Sequence, residues 1–177
     1  MPRREDYAYR LWDYRERHLD PELFIDRSLA GAVKNKVVLV TGASSGIGKA
    51  TALKIAAAGG KVIVVARGDE LLDALVRQLV AEHGGVDILA NNAGRSIRRA
   101  IENSFERFHD FQRCMQLNYF GALRLTLSLL PGMVKRHSGH VINVSSIGVL
   151  TNASRFSAYV ASKAAMDAFA RCAVSTS

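Results

Sequence analysis

The sequence predicts an α/β fold in which a doubly wound, parallel β-sheet lies between two layers of helices. Short apolar runs rich in β-branched residues alternate with helical stretches along most of the chain, an order typical of a parallel sheet covered on both faces. A glycine cluster leads directly from the first apolar run into a helix. The length of 177 residues and the hydrophobic content of 49% suit one globular domain.

The alternation can be followed element by element. Residues 1–33 are charged and aromatic, and we interpret them as an N-terminal arm or linker before a domain that spans 34–177. Apolar runs bounded by turn residues predict strands at 37–40, 61–66, 86–91 and 140–144. Apolar residues at helical spacing predict helices at 49–58, at 69–83, at 104–130 with a stop at Pro131, and from 157 to the end of the chain.

The net charge of +8 raises the question of nucleic acid binding. Residues 1–30 carry six basic and seven acidic side chains, so the excess is spread over the rest of the chain, and no lysine or arginine tract is present. A positive field also attracts a polyanionic dinucleotide. Nucleic acid binding is therefore the less favoured interpretation of the charge.

Two further features bear on location and on metal chemistry. The N-terminus has no apolar segment behind its charges, and no apolar run approaches the roughly 20 residues of a membrane span, which predicts a cytoplasmic protein. Cys114 and Cys172 lie in apolar helical patterns without a CxxC spacing or a set of zinc ligands. The sequence therefore predicts two buried thiols, no disulfide and no metal site.

The first chemical signal is the segment TGASSGIG, between the first strand and the first helix of the domain. In such a unit Gly42 allows the tight turn, Gly46 the approach of a phosphate and Gly48 the close packing of the helix. The unpaired N–H groups and the positive dipole end of the helix suit a pyrophosphate, while a small-residue turn without a ligand is the alternative. The candidate cofactor-binding residues are Gly42, Ser44, Ser45, Gly46, Ile47 and Gly48.

The end of the second strand carries Ala66 and Arg67, where sites for NAD usually offer a carboxylate to the ribose hydroxyls. A guanidinium there favours the 2′-phosphate of NADP. Asp69 is a competing carboxylate two residues further on, and a solvated charge at a strand end is the alternative for Arg67. The sequence thus favours NADP (NADPH) as the cofactor over NAD.

A third signal is formed by Ser146, Tyr159 and Lys163. Tyr159 and Lys163 are four residues apart, so a helix presents them on one face. A free tyrosine has a pKa of about 10, and a nearby ammonium lowers it because the charge favours the phenolate. Tyr159 is therefore a candidate acid/base group, and Ser146, just past the strand 140–144, could hold a substrate carbonyl. Each feature alone is common by chance, and only the ordered combination is specific.

These signals occur in a fixed order with further motifs. TGASSGIG is followed by Asn91-Asn92-Ala93-Gly94, by Asn118 in LNYFG, by VINVSS and by Tyr159-Val-Ala-Ser-Lys163. The chain therefore resembles the short-chain dehydrogenases and reductases over about residues 34–177. The resemblance implies a Rossmann-like fold and hydride transfer between a nicotinamide cofactor and a small-molecule carbonyl or alcohol substrate.

The resemblance also implies a role for each matched residue. Tyr159 donates or accepts the proton, Lys163 lowers the pKa of the tyrosine and binds the nicotinamide ribose, and Ser146 polarises the carbonyl. Asn118 completes a proton relay. The residues implied to flank the adenosine are Asn92, Ala93 and Gly94.

A narrower likeness concerns HLDPELFIDRSLAGAV, NNAGRSIRRAIENS and SSIGVLTNASRFSAYVASKAAMDAF. These segments are similar to the reductase domain of bacterial fatty acyl-CoA reductases, which implies a fatty aldehyde or fatty acyl-CoA as substrate. Arg95, Arg98 and Arg99 are then candidates for contact with coenzyme A phosphates, and an exposed basic turn is an equally favoured alternative.

The chain departs from the family between the second strand and the strand at 86–91. About twenty residues separate Arg67 from Asp87, enough for one crossover helix, so the family's third strand and its adenine-holding aspartate are expected to be missing. The family's strands after the Tyr159 helix are also expected to be missing. The four remaining strands would lie in the family's spatial order second, first, fourth and fifth, with exposed edges. We expect one helix at 69–83, on the sheet face opposite helix 49–58, built on an apolar stripe that includes Leu75, Val76, Leu79 and Val80.

Three functional hypotheses follow, in order of preference: an active NADP-dependent reductase, a cofactor-binding remnant with little or no turnover, and a basic nucleic-acid-binding protein. The family also implies a homo-oligomer, formed through the helix 104–130 and the helix of Tyr159. The apolar side chains available for such contacts are Phe105, Phe108, Leu117, Phe120 and Leu123, for which burial in the core of the domain is the more favoured alternative.

Overall fold

The structure is a computed structural model that describes residues 28–65 and 72–173. Its helices are α1 (Leu29–Val33), α2 (Gly46–Ala57), α3 (Leu72–His83), α4 (Phe108–Met115), α5 (Ala122–Lys135), α6 (Gly148–Thr151) and α7 (Ser157–Cys172). The strands are β1 (Val37–Thr41), β2 (Lys61–Val65), β3 (Ile88–Asn91) and β4 (His140–Asn143). A 3-10 turn at Ile101–Asn103 precedes α4, and a π-helical turn at Gln116–Gly121 joins α4 to α5. Within the described ranges, no helix combines the length and the apolar character that crossing a bilayer requires.

The four strands form one parallel sheet in the order β2-β1-β3-β4. Leu39, at the middle of β1, is paired with Ile63 of β2 on one side and with Leu89 of β3 on the other. This arrangement confirms the predicted α/β fold and the predicted order of the four strands. The order reverses between β1 and β3, and α/β sheets bind their ligands beyond the carboxyl ends of the strands at such a point.

Separate apolar clusters cover the two faces of the sheet. On one face, Val76 and Leu79 of α3 pack with Leu125 and Leu129 of α5 against the sheet. On the other face, Ile55 of α2 and buried side chains of β1 and β3 form the second cluster. The described residues between β2 and β3 hold one helix, on the face opposite the helix that follows the glycine cluster, as predicted. Val80 was wrongly placed in its buried stripe, since it is 52% exposed while α5 covers the side of α3 that carries Val76 and Leu79.

The long helical region differs from the prediction at both ends. It begins at Phe108 rather than at Ser104, and it continues through Pro131 to Lys135. Proline removes one helical hydrogen bond, but Leu129 and Met133, on either side of Pro131, are both buried in the core. Their packing holds the helix together across the proline, which a rule based on local sequence does not anticipate.

The two cysteines have different environments. Cys114 is fully buried, as predicted, and burial raises the pKa of its thiol. Cys172 is exposed, so the prediction of a second buried thiol was wrong. It lies in the last turn of α7, whose buried residues all belong to the earlier turns.

The chain before α1 lies outside the described residues, so most of the proposed arm at 1–33 is not described. Its last residues form α1, and Val33 of that helix is buried beside Ile55 in the core of the domain. The boundary between an arm and a domain at residue 34 therefore stays a prediction. Arg67 and Asp69 also lie outside the described residues.

Candidate active site

The three glycines of the turn after β1 occupy different environments. Gly42 has φ +66°, and a Cβ atom there would lie 2.7 Å from the Cα of Ala93. Gly46 has φ +57°, but a Cβ atom there would meet no described atom within 4 Å. A Cβ atom on Gly48 would collide with the side-chain nitrogen of Asn92 and with the Gly42 carbonyl. Close packing within the protein thus requires glycine at positions 42 and 48, whereas no described residue crowds Gly46.

The N-terminus of α2 lies in this glycine turn. The helix begins at Gly46, the side chain of Ser45 caps none of its N–H groups, and its first turn holds no acidic residue. Ser44, Ser45 and Ile47 are exposed around the same turn. Free N–H groups, the positive end of the helix dipole and the space over Gly46 fit the pyrophosphate of a dinucleotide.

The segment after β3 holds the glycine turn in position. The Asn92 side-chain amide donates to the carbonyl of Thr41 at 2.9 Å and to that of Gly42 at 3.2 Å. The hydroxyl of Thr41 accepts from the backbone N–H groups of Asn92 and Ala93, at 3.0 and 2.9 Å. These bonds bring the loops after β1 and β3 together, so Asn92 and Ala93 support the turn whatever they contact in a ligand.

Gly94, further along the same loop, lies beside Lys163 and Asn118. A Cβ atom on it would lie 3.5 Å from Nζ of Lys163 and 3.6 Å from Oδ1 of Asn118. The loop therefore connects the glycine turn, which fits a pyrophosphate, with the lysine of the candidate catalytic set. Contact of Asn92, Ala93 and Gly94 with an adenosine stays a prediction.

Asn118 lies in the π-helical turn, with its side chain 2% exposed. Its amide donates to the carbonyl of Arg95 at 2.9 Å and to the Ser162 hydroxyl at 2.8 Å, and its Oδ1 accepts from the Arg95 N–H at 2.7 Å. Both N–H donors of the side chain are thereby used. The predicted proton relay through Asn118 stays a prediction, and these bonds give its side chain a positioning function.

Ser162 is a residue that the sequence reasoning missed. Its hydroxyl is fully buried, accepts from Asn118 and donates to the carbonyl of Tyr159 at 2.7 Å. This chain of bonds joins α7 to the π-helical turn at the level of Tyr159. The available signal was its position one helical turn after Tyr159, directly before Lys163.

Lys163 is 5% exposed, and its ammonium donates to the carbonyl of Val144 at 2.7 Å. Burial lowers the pKa of this ammonium, because desolvation disfavours its charged form. An ammonium has three N–H donors, so the bond to Val144 leaves others for a ligand. The bond also fixes α7 to the segment that follows β4 and leads to Ser146.

Tyr159 and Ser146 lie beyond the end of β4. The Tyr159 ring is partly buried against the edge of Phe156, with 6.4 Å between ring centroids. In the described part of the chain, the Tyr159 hydroxyl bonds to no other group, and the Ser146 hydroxyl accepts from the Gly148 N–H at 3.1 Å. Gly148 also packs closely against Val160, which brings the Ser146 segment against α7. Both hydroxyls retain a proton that they can donate.

The reversal of strand order and the open glycine turn define a class, the Rossmann-like α/β proteins that bind dinucleotides. Comparison with known families is more specific. The family model described as short chain dehydrogenase matches residues 36–81 and 69–176, and the chain belongs to this family of dehydrogenases and reductases. The two matches overlap at 69–81, a segment that includes most of the crossover helix α3.

Individual relatives support the same assignment. A fatty acyl-CoA reductase of Acinetobacter baylyi is 56% identical over 167 aligned positions, which cover 79% of this chain and 57% of that protein. A fatty acyl-CoA reductase of Mycobacterium tuberculosis is 43% identical over 183 positions, covering 86% of this chain and 62% of that protein. The structure of a short-chain dehydrogenase from Streptomyces avermitilis matches with a TM-score of 0.72 and 39% identity, over 78% of this chain and 59% of that one. The chain thus spans about three-fifths of the length of these relatives.

Family membership implies a nicotinamide cofactor. The residues around the turn after β1 fit its pyrophosphate, as described above. The part of the chain that would contact the 2′ position of its ribose, around Arg67, lies outside the described residues.

Proposed function

We propose that the chain carries the cofactor-binding and catalytic core of an NADP-dependent oxidoreductase acting on a carbonyl or alcohol substrate. One observation carries the proposal: the uncapped N-terminus of α2 and the pair Tyr159 and Lys163 lie at the same carboxyl edge of the sheet, joined by the loop after β3. A dinucleotide bound across the reversal of strand order reaches both places. Membership of the short-chain dehydrogenase family supports the same conclusion.

The chemistry divides between the cofactor and the protein. When bound, the nicotinamide supplies or accepts the hydride. In the direction of reduction, Tyr159 donates its proton to the carbonyl oxygen, and the Ser146 hydroxyl donates a hydrogen bond to that same oxygen. Donation leaves a Tyr159 phenolate, and Lys163, one turn further along the same helix, would contact the nicotinamide ribose through the N–H donors that its bond to Val144 leaves. In the direction of oxidation, the phenolate takes the proton back from the alcohol.

The substrate we propose is a fatty aldehyde or a fatty acyl-CoA. Two of the relatives described above are fatty acyl-CoA reductases. In addition, Ile147 and Leu150 expose large apolar side chains directly after Ser146, at the candidate reaction site. An alkyl chain laid over them would remove apolar surface from water.

We propose that Arg67 makes the chain prefer NADPH to NADH, because a guanidinium pairs with the 2′-phosphate that NADH lacks. Arg67→Ala is expected to weaken NADPH binding by about tenfold or more and to leave NADH binding unchanged. Fluorescence titration of both cofactors measures this. Arg77→Ala, which removes the same charge from the exposed face of α3, is the control and should alter neither affinity. Equal preference in the wild type and in Arg67→Ala would contradict the assignment.

A cofactor-binding remnant with little turnover is the second candidate function. The observation in its favour concerns β2, the outermost strand on its side of the sheet among the described residues, where Val64 is 59% exposed. The adenine half of a dinucleotide would lie along this side of the sheet. The two candidates separate in an assay of NADPH absorbance with a fatty aldehyde: binding without consumption of NADPH supports the remnant, and steady consumption supports the reductase.

The proposed homo-oligomer would cover an apolar stripe on α5 and the turn before it. Phe120, Leu127 and Val134 recur every seven residues and are exposed, as are Phe105 and Phe108, before and at the start of α4. Leu127→Glu is expected to shift the protein toward the monomer in sedimentation or light scattering at micromolar concentration, because a charge in this stripe opposes burial. Val80→Glu, at an equally exposed position on α3, should not do so. A wild type that is already monomeric would contradict the proposal.

A further inference from the structure

A cavity of about 300 Å³ lies between the loop after β3 and the loop before α7. Neither the glycine turn nor the candidate catalytic side chains contribute to its wall. Arginine is the commonest residue type there, and the lining consists of Arg98, Arg99, Ala100, Glu102, Asn103 and Arg155.

The two walls of the cavity are tied together. The N–H of Arg99 donates to the carbonyl of Arg155 at 2.6 Å. Arg155 itself has φ +69°, a left-handed conformation that side-chain-bearing residues rarely adopt. Such strain persists only where surrounding contacts maintain it, and it frequently marks a ligand-contacting position. Here the strained backbone belongs to an arginine in the cavity wall.

The charges around the cavity are unevenly compensated. The carboxylate of Asp110 accepts from Nε of Arg99 at 2.9 Å and from Nε of Arg107 at 3.1 Å. The bonds from Arg107 and Arg99 hold the pKa of Asp110 below its usual value, against the opposing effect of burial. Within the described ranges, Arg98 and Arg155 form no ion pair, and Glu102 is the single carboxylate in the lining. The cavity therefore keeps an excess of positive charge.

The cavity also lies beside the reaction site. Arg155 is four residues before Tyr159, and the loop that carries Arg98 starts at Gly94 and is fixed by the bonds between Arg95 and Asn118. A ligand group held here would therefore be near the candidate catalytic residues without being the reacting group. That placement suits a substrate whose anionic part is separated from its reacting carbon by a linker.

We infer that Arg98 and Arg155 bind phosphate groups of a coenzyme A thioester while its acyl carbon lies at Tyr159. The inference rests on the proposed reductase function and names its substrate class. Guanidinium groups match phosphate oxygens with paired, charge-assisted hydrogen bonds. The pantetheine arm of coenzyme A supplies the linker between the phosphates and the thioester.

The test is the binding of unacylated ligands to the whole chain by titration calorimetry, which needs no turnover. Coenzyme A is expected to bind, and pantetheine, which lacks the phosphates, is expected to bind at least tenfold more weakly. The titration is repeated with saturating NADPH, which also carries phosphates. Displacement of coenzyme A by NADPH would place it in the cofactor site and overturn the inference, as would binding of inorganic phosphate as tight as that of coenzyme A.

Two variants test whether coenzyme A binds in the cavity. Arg155→Gly removes the guanidinium at a position where glycine relieves the backbone strain, so the fold should be retained, and Arg98→Gln removes the second charge. Each is expected to weaken coenzyme A binding about tenfold and to leave NADPH binding unchanged. Arg113→Gln, an exposed residue of α4 outside the lining, is the matched control. Unchanged coenzyme A affinity in both cavity variants would overturn the inference, whereas loss of NADPH binding in the wild type would contradict the proposed function instead.

Discussion

Tyr159→Phe is expected to lower the rate of carbonyl reduction by at least about a hundredfold while leaving NADPH affinity nearly unchanged. The substitution removes one hydroxyl, which bonds to no other group in the described part of the chain. The ring contact with Phe156 and the bond from Ser162 to the Tyr159 carbonyl do not depend on that hydroxyl. The fold should therefore be retained, and the loss should appear in kcat.

The measurement is steady-state consumption of NADPH with a fatty aldehyde, together with a binding titration of NADPH. Tyr119→Phe is the matched control, since Tyr119 lies in the π-helical turn with its ring against Phe120. It removes the same hydroxyl from a different element and should leave the rate unchanged. Turnover of Tyr159→Phe close to that of the wild type would assign the proton transfer to another group.

Gly46→Ala is expected to lower NADPH affinity by roughly a hundredfold or more, the effect of losing two charge-assisted hydrogen bonds. Among the described residues, the added methyl group would meet no atom within 4 Å. It would instead occupy the space that the pyrophosphate needs at the N-terminus of α2. The left-handed φ of +57° adds a destabilisation of about 1 kcal/mol to the folded state.

Gly84→Ala separates these two effects. Gly84 has φ +72°, and a Cβ atom there would also meet no atom of the described ranges within 4 Å, but it lies in the turn after α3. Both variants should show a similar loss in the free energy of unfolding, measured with denaturant. Only Gly46→Ala should lose NADPH affinity in calorimetry. Equal cofactor affinities for the two variants would mean that the glycine turn does not hold the pyrophosphate.

The candidate site was largely accessible from the sequence because its main parts are local. The roles expected for Gly42 and Gly48 depend on backbone conformation and close packing within one strand-turn-helix unit, and the structure contains both. The spacing of Tyr159 and Lys163 likewise depends on one helix. The local pattern did not indicate the hydrogen bonds of Ser162. It also did not indicate the bond from Lys163 to Val144, which joins residues 19 positions apart.

The fold, like the site, could be predicted from the sequence only in part. A single helix between β2 and β3 could be predicted because about twenty residues leave room for only one crossover, and the strand order could be predicted because the resemblance to the short-chain dehydrogenases implied it. The continuation of α5 through Pro131 and the exposure of Val80 could not. Both depend on which neighbouring element covers a given side of a helix, and that information is spread over distant parts of the chain.

By itself, the sequence determined the fold class, the order of the strands, the glycine turn and the one-turn spacing of Tyr159 and Lys163. The fold class, the glycine turn and this spacing follow from backbone preferences and from spacings within single elements, whereas the order of the strands followed from the resemblance to the short-chain dehydrogenases. Only the tertiary structure decided that Asn92 holds the glycine turn and that both N–H donors of the Asn118 side chain are hydrogen-bonded. The tertiary structure also decided that Arg98 and Arg155 line a cavity and form no ion pair within the described ranges. Asn92 and Thr41 are 51 positions apart, and Asn118 and Ser162 are 44 apart. Which polar groups meet across such distances is decided by the packing of the sheet and helices, because a buried donor or acceptor must find its partner wherever the fold brings one.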